Sequence, residues 1–196
     1  MKTETHAVDA LRNDIVFSDT LMGEKFTFHS TWGIFSPRCV DDGSRLLLKY
    51  LDIKPADDCL DLGCGYGVLG LYMARIAAQG STCLIDKDFV AVNYSIKNAK
   101  FNQLDNTDIF LSNGFDQIGN KKFDVIVSNI PAKVGKELLN IYLVDALAHL
   151  KPGGIFYIVT VTGLRRFFER GFKEVFGNYK KLKQGKAYTV AMGIKN

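Results

Sequence analysis

Asp61-Leu62-Gly63-Cys64-Gly65-Tyr66-Gly67 lies between a short apolar strand candidate, Cys59–Leu62, and an apolar helix candidate over residues 68–78. A glycine-rich turn at a strand-to-helix junction lets the backbone come close to a nucleotide-like ligand, because glycine has no Cβ and tolerates positive φ. Read literally, Gly65, Gly67 and Gly70 fit G-x-G-x-x-G, and Asp86 follows 19 positions after Gly67. That is near the spacing of a dinucleotide fingerprint. Asp61 argues against a dinucleotide. Pyrophosphate on the helix N-terminus is anionic, and a carboxylate in front of it would repel it. S-adenosylmethionine (SAM) carries adenine and ribose without phosphate. Its cationic methionine end suits Asp61, and its ribose hydroxyls suit Asp86. A merely structural glycine turn is the third reading.

Outward from this loop, strand and helix signals alternate, which predicts a parallel α/β sheet. Strands are expected over residues 58–62, 81–86, 108–112, 123–128 and 155–161, and helices over 45–51 (opened by Asp41-Asp42-Gly43-Ser44, whose acidic residues suit a helix N-terminus), 68–78, 89–102, 136–150 and 164–176. Val125-Ile126-Val127 is continuous and β-branched, as a strand covered on both faces should be. Residues 179–182 and 187–194 are expected to form a terminal antiparallel pair around Gln184-Gly185. Residues 15–17 and 25–29, with a turn at Met22-Gly23-Glu24, predict a hairpin ahead of the main sheet. The 196 residues fit one domain, divided into a β extension over 1–35 and a core over 36–196. In such a sheet, ligands bind beyond the carboxyl ends of the strands. That rule gathers Asp61 to Gly67, Asp86-Lys87, Ser112-Asn113-Gly114 and Ser128-Asn129-Ile130-Pro131 on one rim. Each cluster also has a plain reading as a cap, turn or loop, so the coincidence carries the argument.

With 47% hydrophobic and 23% charged residues, the chain has the composition of a soluble globular protein. Its longest apolar runs, such as 154–161, are too short to span a bilayer, and residues 1–6 hold no apolar signal-peptide core. Cys39, Cys59, Cys64 and Cys83 are scattered, which predicts reduced thiols in the cytoplasm and no zinc site. With three histidines and no clustered partners, no metal is expected. The net charge of +4 is unevenly spread: from Lys151 onward there are ten basic residues and two acidic ones. A one-sided basic segment attracts a polyanion such as RNA, or is a solvated lysine face.

Asp61-Leu62-Gly63-Cys64-Gly65, Asp86 and Asn129-Ile130-Pro131-Ala132 resemble motifs of class I SAM-dependent methyltransferases. Gly33-Ile34-Phe35-Ser36, followed by Asp41-Asp42-Gly43-Ser44-Arg45, resembles the small-domain group that includes bacterial 16S rRNA guanine-N2 methyltransferases. The resemblance runs from about Thr27 to the C-terminus. It implies a three-layer α/β/α fold whose seven-stranded sheet ends in an antiparallel strand, and methyl transfer to an exocyclic amino group, guanine N2 in rRNA. By the same resemblance, Asp61, Gly63, Cys64, Gly65, Gly67, Asp86, Lys87, Asn113, Gly114 and Asn129 are expected around SAM. Asn129, Ile130 and Pro131 are expected at the reaction, and Phe35, Ala132 and Lys133 at the acceptor. The pattern departs from Asn-Pro-Pro-aromatic at Ile130 and Ala132, which removes one stacking platform. Trp32, Phe35 or Tyr66 would replace it, with Phe35 preferred. Methylation of a protein glutamine or a small amine, and SAM or RNA binding without catalysis, are the alternative functions.

Overall fold

The computed structural model describes residues 13–131 and 134–196. Its first element is an antiparallel hairpin of β1 (Ile15–Leu21) and β2 (Glu24–Ser30), closed by Met22-Gly23 with both residues at positive φ. Helix α1 (Asp42–Leu48) follows; it opens within the expected Asp41-Asp42-Gly43-Ser44 stretch and ends three residues before the expected Leu51. The Asp41 carboxylate sets that start by accepting the Ser44 N–H at 3.1 Å, the usual way of satisfying a helix's first free donors.

The alternating core comes next: β3 (Cys59–Leu62), α2 (Val68–Ile76), β4 (Thr82–Asp86), α3 (Phe89–Phe101), β5 (Thr107–Leu111), β6 (Phe123–Asn129), α4 (Lys136–His149), β7 (Leu150–Val161), α5 (Arg165–Phe176), β8 (Lys180–Gln184) and β9 (Tyr188–Ile194). The seven strands lie in the order β5-β4-β3-β6-β7-β9-β8. The first five are parallel, and β9 enters antiparallel to both β7 and β8. The chain runs outward from β3 to β5 and returns to place β6 beside β3, so the carboxyl ends of β3 and β6 flank the switch point. β7 starts at Leu150, not at 155, because Leu150 pairs with Phe123 and the Gly153 N–H reaches Lys195 O at 2.7 Å. The Pro-Gly-Gly stretch therefore bends the strand without ending the ladder.

Alternation along the strands sorts side chains into two cores. Cys59, Leu84, Val125 and Val127 face α1, α2 and the hairpin, whereas Leu60, Ile85, Ile126 and Phe156 face α4 and α5. At Gly70, inside α2, an added Cβ would lie 2.4 Å from two carbons of the buried Leu84. Gly70→Ala would gain about 1 kcal/mol of helix propensity. Overpacking a close-packed interior costs about 1–3 kcal/mol, and the severity of this overlap puts the cost at the upper end. A net loss of stability is expected, read as a lower urea midpoint at unchanged m-value; an unchanged or raised midpoint would refute it.

The hairpin is held on α3 by two asparagines. The Asn98 amide accepts the His29 N–H at 2.7 Å and donates to His29 O at 2.9 Å. Asn102 does the same to Thr27, at 3.0 and 2.8 Å. Four residues of helix rise about 6 Å and two residues of strand about 6.8 Å, so the two amides act as a short substitute strand on β2. Asn98 also donates to Tyr66 O at 2.8 Å, which ties the hairpin to the glycine loop.

Candidate functional site

At the carboxyl ends of β3, β4 and β6 lies a cavity of about 630 Å³. One side of it is the glycine loop. Gly63 and Gly65 have φ of +78° and +57°, and a Cβ on either would meet no atom within 4 Å, so both border open space. Four of the loop amides are already taken. Gly63 and Cys64 donate to Ile85 O at 2.9 and 3.0 Å, Gly67 to Cys64 O at 2.9 Å, and Gly65 to the Asp86 carboxylate at 2.9 Å. A pyrophosphate needs N–H groups pointing at it, so the inward turn of these four counts against the dinucleotide reading. Gly70, third glycine of the literal match, is a packing residue whose N–H donates to Asp61 Oδ2 at 2.7 Å.

Asp61 is 1% exposed, and its Oδ1 has no hydrogen-bond partner among the described residues. Burial pushes its carboxyl up to about 7, opposed by the Gly70 bond and reinforced by nearby Asp86. A buried carboxylate oxygen with no partner, bordering a cavity, is a place for a cation. Asp86 spends one contact of each oxygen on backbone, accepting from Gly65 N and from Asp88 N at 3.0 Å, and keeps lone pairs for hydroxyl donors. The Cys64 thiol is also buried, beside Ser95 at 3.5 Å, and burial raises its pKa strongly, so it is an inert small side chain.

The opposite side is built on Asn129, the last residue of β6. Its Nδ2 donates to Asp41 Oδ2 and to Ser44 Oγ, both at 2.9 Å. A carboxylate only accepts, so this contact assigns the amide orientation chemically: nitrogen against Asp41, oxygen away from it. Both N–H groups are used, and Oδ1 accepts no hydrogen bond from the described residues. Ile130 is 3% exposed, packs into the α4–α5 core and donates its N–H to Val159 O at 2.9 Å. A proline here could not make that bond, which gives a local reason for the departure from Asn-Pro-Pro. Pro131 lines the cavity beside it.

Most of the expected residues meet here. Asp61, Gly63, Cys64, Gly65, Asp86 and Lys87 line the cavity, and so do Gly114, Asn129, Ile130, Pro131 and Phe35. Gly67 and Asn113 do not. Gly67, at φ +100°, caps α2, and a Cβ there would press on Leu71 and Ser95 at 3.0 Å, so its role is local packing. Asn113 is exposed, while Ser112 beneath it lines the cavity and anchors the turn by donating to Gly114 O at 2.7 Å. Ala132 and Lys133 lie outside the described residues. Among the aromatic candidates, Phe35 is 66% exposed at the cavity. Tyr66 is 4% exposed, with its hydroxyl donating to Ser36 O and Cys39 O at 3.2 and 3.1 Å, so it braces the loop that carries Phe35. Trp32 lies outside the lining, under the Arg38 guanidinium at 4.5 Å. Asp41, Ser44, Tyr142 and Tyr188 line the cavity without having been singled out as site residues. Asp41 and Ser44 carried a signal as helix-opening residues and Tyr188 as part of the terminal segment, but none in the sequence pointed them at Asn129.

A family model described as the methyltransferase small domain matches residues 25–192. The chain belongs to that family. YbxB of Bacillus subtilis, an uncharacterized protein, is 34% identical over 149 residues, 75% of this chain and 74% of its own length. The ribosomal RNA small subunit methyltransferase C of Haemophilus influenzae is 32% identical over 181 residues, 88% of this chain and 52% of that protein. The T. thermophilus 16S rRNA N2 G1207 methyltransferase, solved with AdoMet and guanosine, aligns at TM-score 0.84 and 30% identity over 92% of this chain and 50% of that one. The chain thus spans about half the length of these ribosomal RNA methyltransferases. In this family member the basic C-terminal segment divides by role. Lys151 bridges Asp58 and Asp124 at 2.8 and 2.7 Å, and Lys173 pairs with Glu169. Lys180, Lys181 and Lys183 lie exposed on edge strand β8, where lysines also discourage edge-to-edge pairing. Among the described residues no cluster of His, Cys, Asp or Glu is placed to hold a metal, and no helix is long and apolar enough to cross a membrane.

Proposed function

We propose that this chain is a SAM-dependent methyltransferase that methylates an exocyclic amino group, guanine N2 in ribosomal RNA, in the cytoplasm. The observation that carries the reading is the Asn129 amide, held nitrogen-inward by Asp41 and Ser44 so that its oxygen is left to accept. An acceptor oriented this way suits a planar NH2 group. SAM fits the other half: the unpartnered Asp61 oxygen suits its cationic end, Asp86 its ribose hydroxyls, and the open Gly63 and Gly65 positions leave room for its body. When bound, SAM supplies a methyl group already activated on a sulfonium. The protein then has to orient and desolvate. An exocyclic amine is a weak nucleophile because its lone pair is delocalised into the ring. Accepting its N–H bonds at Asn129 Oδ1 and the Ile130 carbonyl would aim that lone pair and withdraw it from the ring. Phe35 offers a face on which the base stacks. No strong base is required, since the proton leaves after transfer. Arg165, Arg166 and the β8 lysines are the candidate phosphate contacts.

The test is to incubate the purified chain with tritiated SAM and, in separate reactions, 16S rRNA, small ribosomal subunits, tRNA, total protein and free amines. Label is expected in rRNA, released as N2-methylguanosine on digestion. Label confined to protein would favour the glutamine reading, label in free amines the small-molecule reading, and none in any acceptor would overturn methyl transfer.

A further inference from the structure

Asp41 does more than open a helix. Its Oδ2 accepts from Ser44 N at 3.1 Å and from Asn129 Nδ2 at 2.9 Å, and its Oδ1 accepts from the Tyr188 hydroxyl at 3.1 Å. Three parts of the fold thereby meet at one carboxylate: the start of α1, the end of β6 and the start of β9. Gly43 makes this meeting possible. A Cβ there would lie 2.8 Å from Asp41 Oδ2 and 3.0 Å from the Tyr188 ring. We propose that Asp41, held from behind by Tyr188, is the positioning residue that sets the direction of the Asn129 amide and so selects an acceptor that carries N–H. The inference rests on the methyltransferase reading for its consequence, though not for its geometry.

The physical need is plain. A side-chain amide has nearly the same shape after a half-turn that exchanges oxygen and nitrogen. Reversed, Asn129 would present two donors to an amine that is itself a donor, and transfer would stop. Ser44 Oγ can donate or accept, so it fits either face of the amide and fixes nothing alone. The Asp41 carboxylate accepts only, and it is the contact that breaks the tie. Tyr188 occupies the other oxygen, and the Ser44 amide holds the first, so the carboxylate is anchored from two sides. Ser44 is 6% exposed, which keeps water from competing for the Asn129 amide.

A capping role alone would account for the Ser44 N–H bond, and two variants separate the alternatives. Asp41→Ser keeps a helix-capping oxygen but is too short to reach Asn129. Asp41→Asn keeps the cap, presents its carbonyl to Asn129 and turns its own NH2 to the Tyr188 oxygen. Asp41→Ser is expected to lower kcat for rRNA methylation by about tenfold to a hundredfold, the range for a misplaced polar group at a reacting centre. KM for rRNA, Kd for SAM and the melting temperature should stay near those of the native protein. Asp41→Asn should restore kcat to within a few-fold, and Tyr188→Phe should show an intermediate loss. A second readout needs no activity. In ¹⁵N spectra of the free protein, the Asn129 side-chain NH2, assigned by its absence from Asn129→Asp, should exchange slowly in the native chain and in Asp41→Asn, and fast in Asp41→Ser. Native kcat in Asp41→Ser, or equal losses of kcat and melting temperature in both variants, would reduce Asp41 to a cap. Unchanged amide exchange in Asp41→Ser would overturn the proposal even in a chain that methylates no RNA, whereas loss of protection with no RNA labelled in the native chain would uphold the positioning and sink only the RNA reading.

Discussion

Asn129→Ala is expected to lower the rate of methyl transfer by about a hundredfold to a thousandfold while leaving SAM affinity within a few-fold. The substitution removes the oxygen proposed to receive the acceptor amine and leaves the glycine loop, Asp61 and Asp86 untouched. Its structural cost is contained: Asp41 keeps Ser44 N and Tyr188, and Ser44 keeps the Asp41 cap. The measurement is single-turnover transfer to rRNA at saturating SAM, with calorimetry for the cofactor. Activity equal to the native protein's would place the acceptor somewhere other than the end of β6. A parallel loss of SAM affinity would mean that Asn129 acts mainly on the cofactor side.

Asp61→Asn should separate binding from stability. The native carboxylate, with one oxygen on Gly70 N and the other without a partner among the described residues, is kept buried at a cost in folding free energy. SAM affinity is expected to fall by about a hundredfold or more when that negative charge is removed, in keeping with about 3 kcal/mol for a buried, charge-assisted contact. The pH dependence follows from burial raising the carboxyl to about 7. Below that pH the group is protonated and attracts a cation poorly, so native affinity should decline as pH falls through 7 and level off above it. Stability runs the opposite way. A carboxyl whose folded pKa lies above its unfolded value favours the fold when protonated, and that contribution is lost as pH rises between the unfolded value and about 7. The melting temperature of the native protein, relative to Asp61→Asn, should therefore drop between pH 5 and pH 8. A pH-independent difference in melting temperature, together with undiminished SAM binding by the variant, would remove Asp61 from the site.

The strand-turn-helix at Cys59 to Ile76 was legible because its signals are local: an apolar run buried on both faces, glycines at positive φ, and a helix period that begins where they end. The same holds for the carboxylates at 61 and 86 and for Asn129, which stand at strand ends that the alternation itself marks. Boundaries were less legible where a distant partner decides them. β7 starts at Leu150 because Phe123 and Lys195 hold it, whereas the start of α1 is set locally by the Asp41 cap. Gly67 and Gly70 show the limit within the motif itself. Spacing counts them with Gly65, while Leu71, Ser95 and Leu84 make them packing glycines.

Residue order was thus sufficient for the sheet class, for the glycine loop at the end of β3 and for the polar residue at the end of β6, since each rests on neighbours a few positions apart. It was insufficient for the ligand side of that loop. Four loop amides turn toward the protein and one carboxylate oxygen finds no partner among the described residues, and both are consequences of burial after the sheet has assembled. It was insufficient as well for the way Asn129 points, because the bonds that orient it join residues 88 and 147 positions apart. Such contacts leave no periodicity and no spacing. They exist only once β6 and β9 have packed on either side of α1, when one carboxylate can accept from all three.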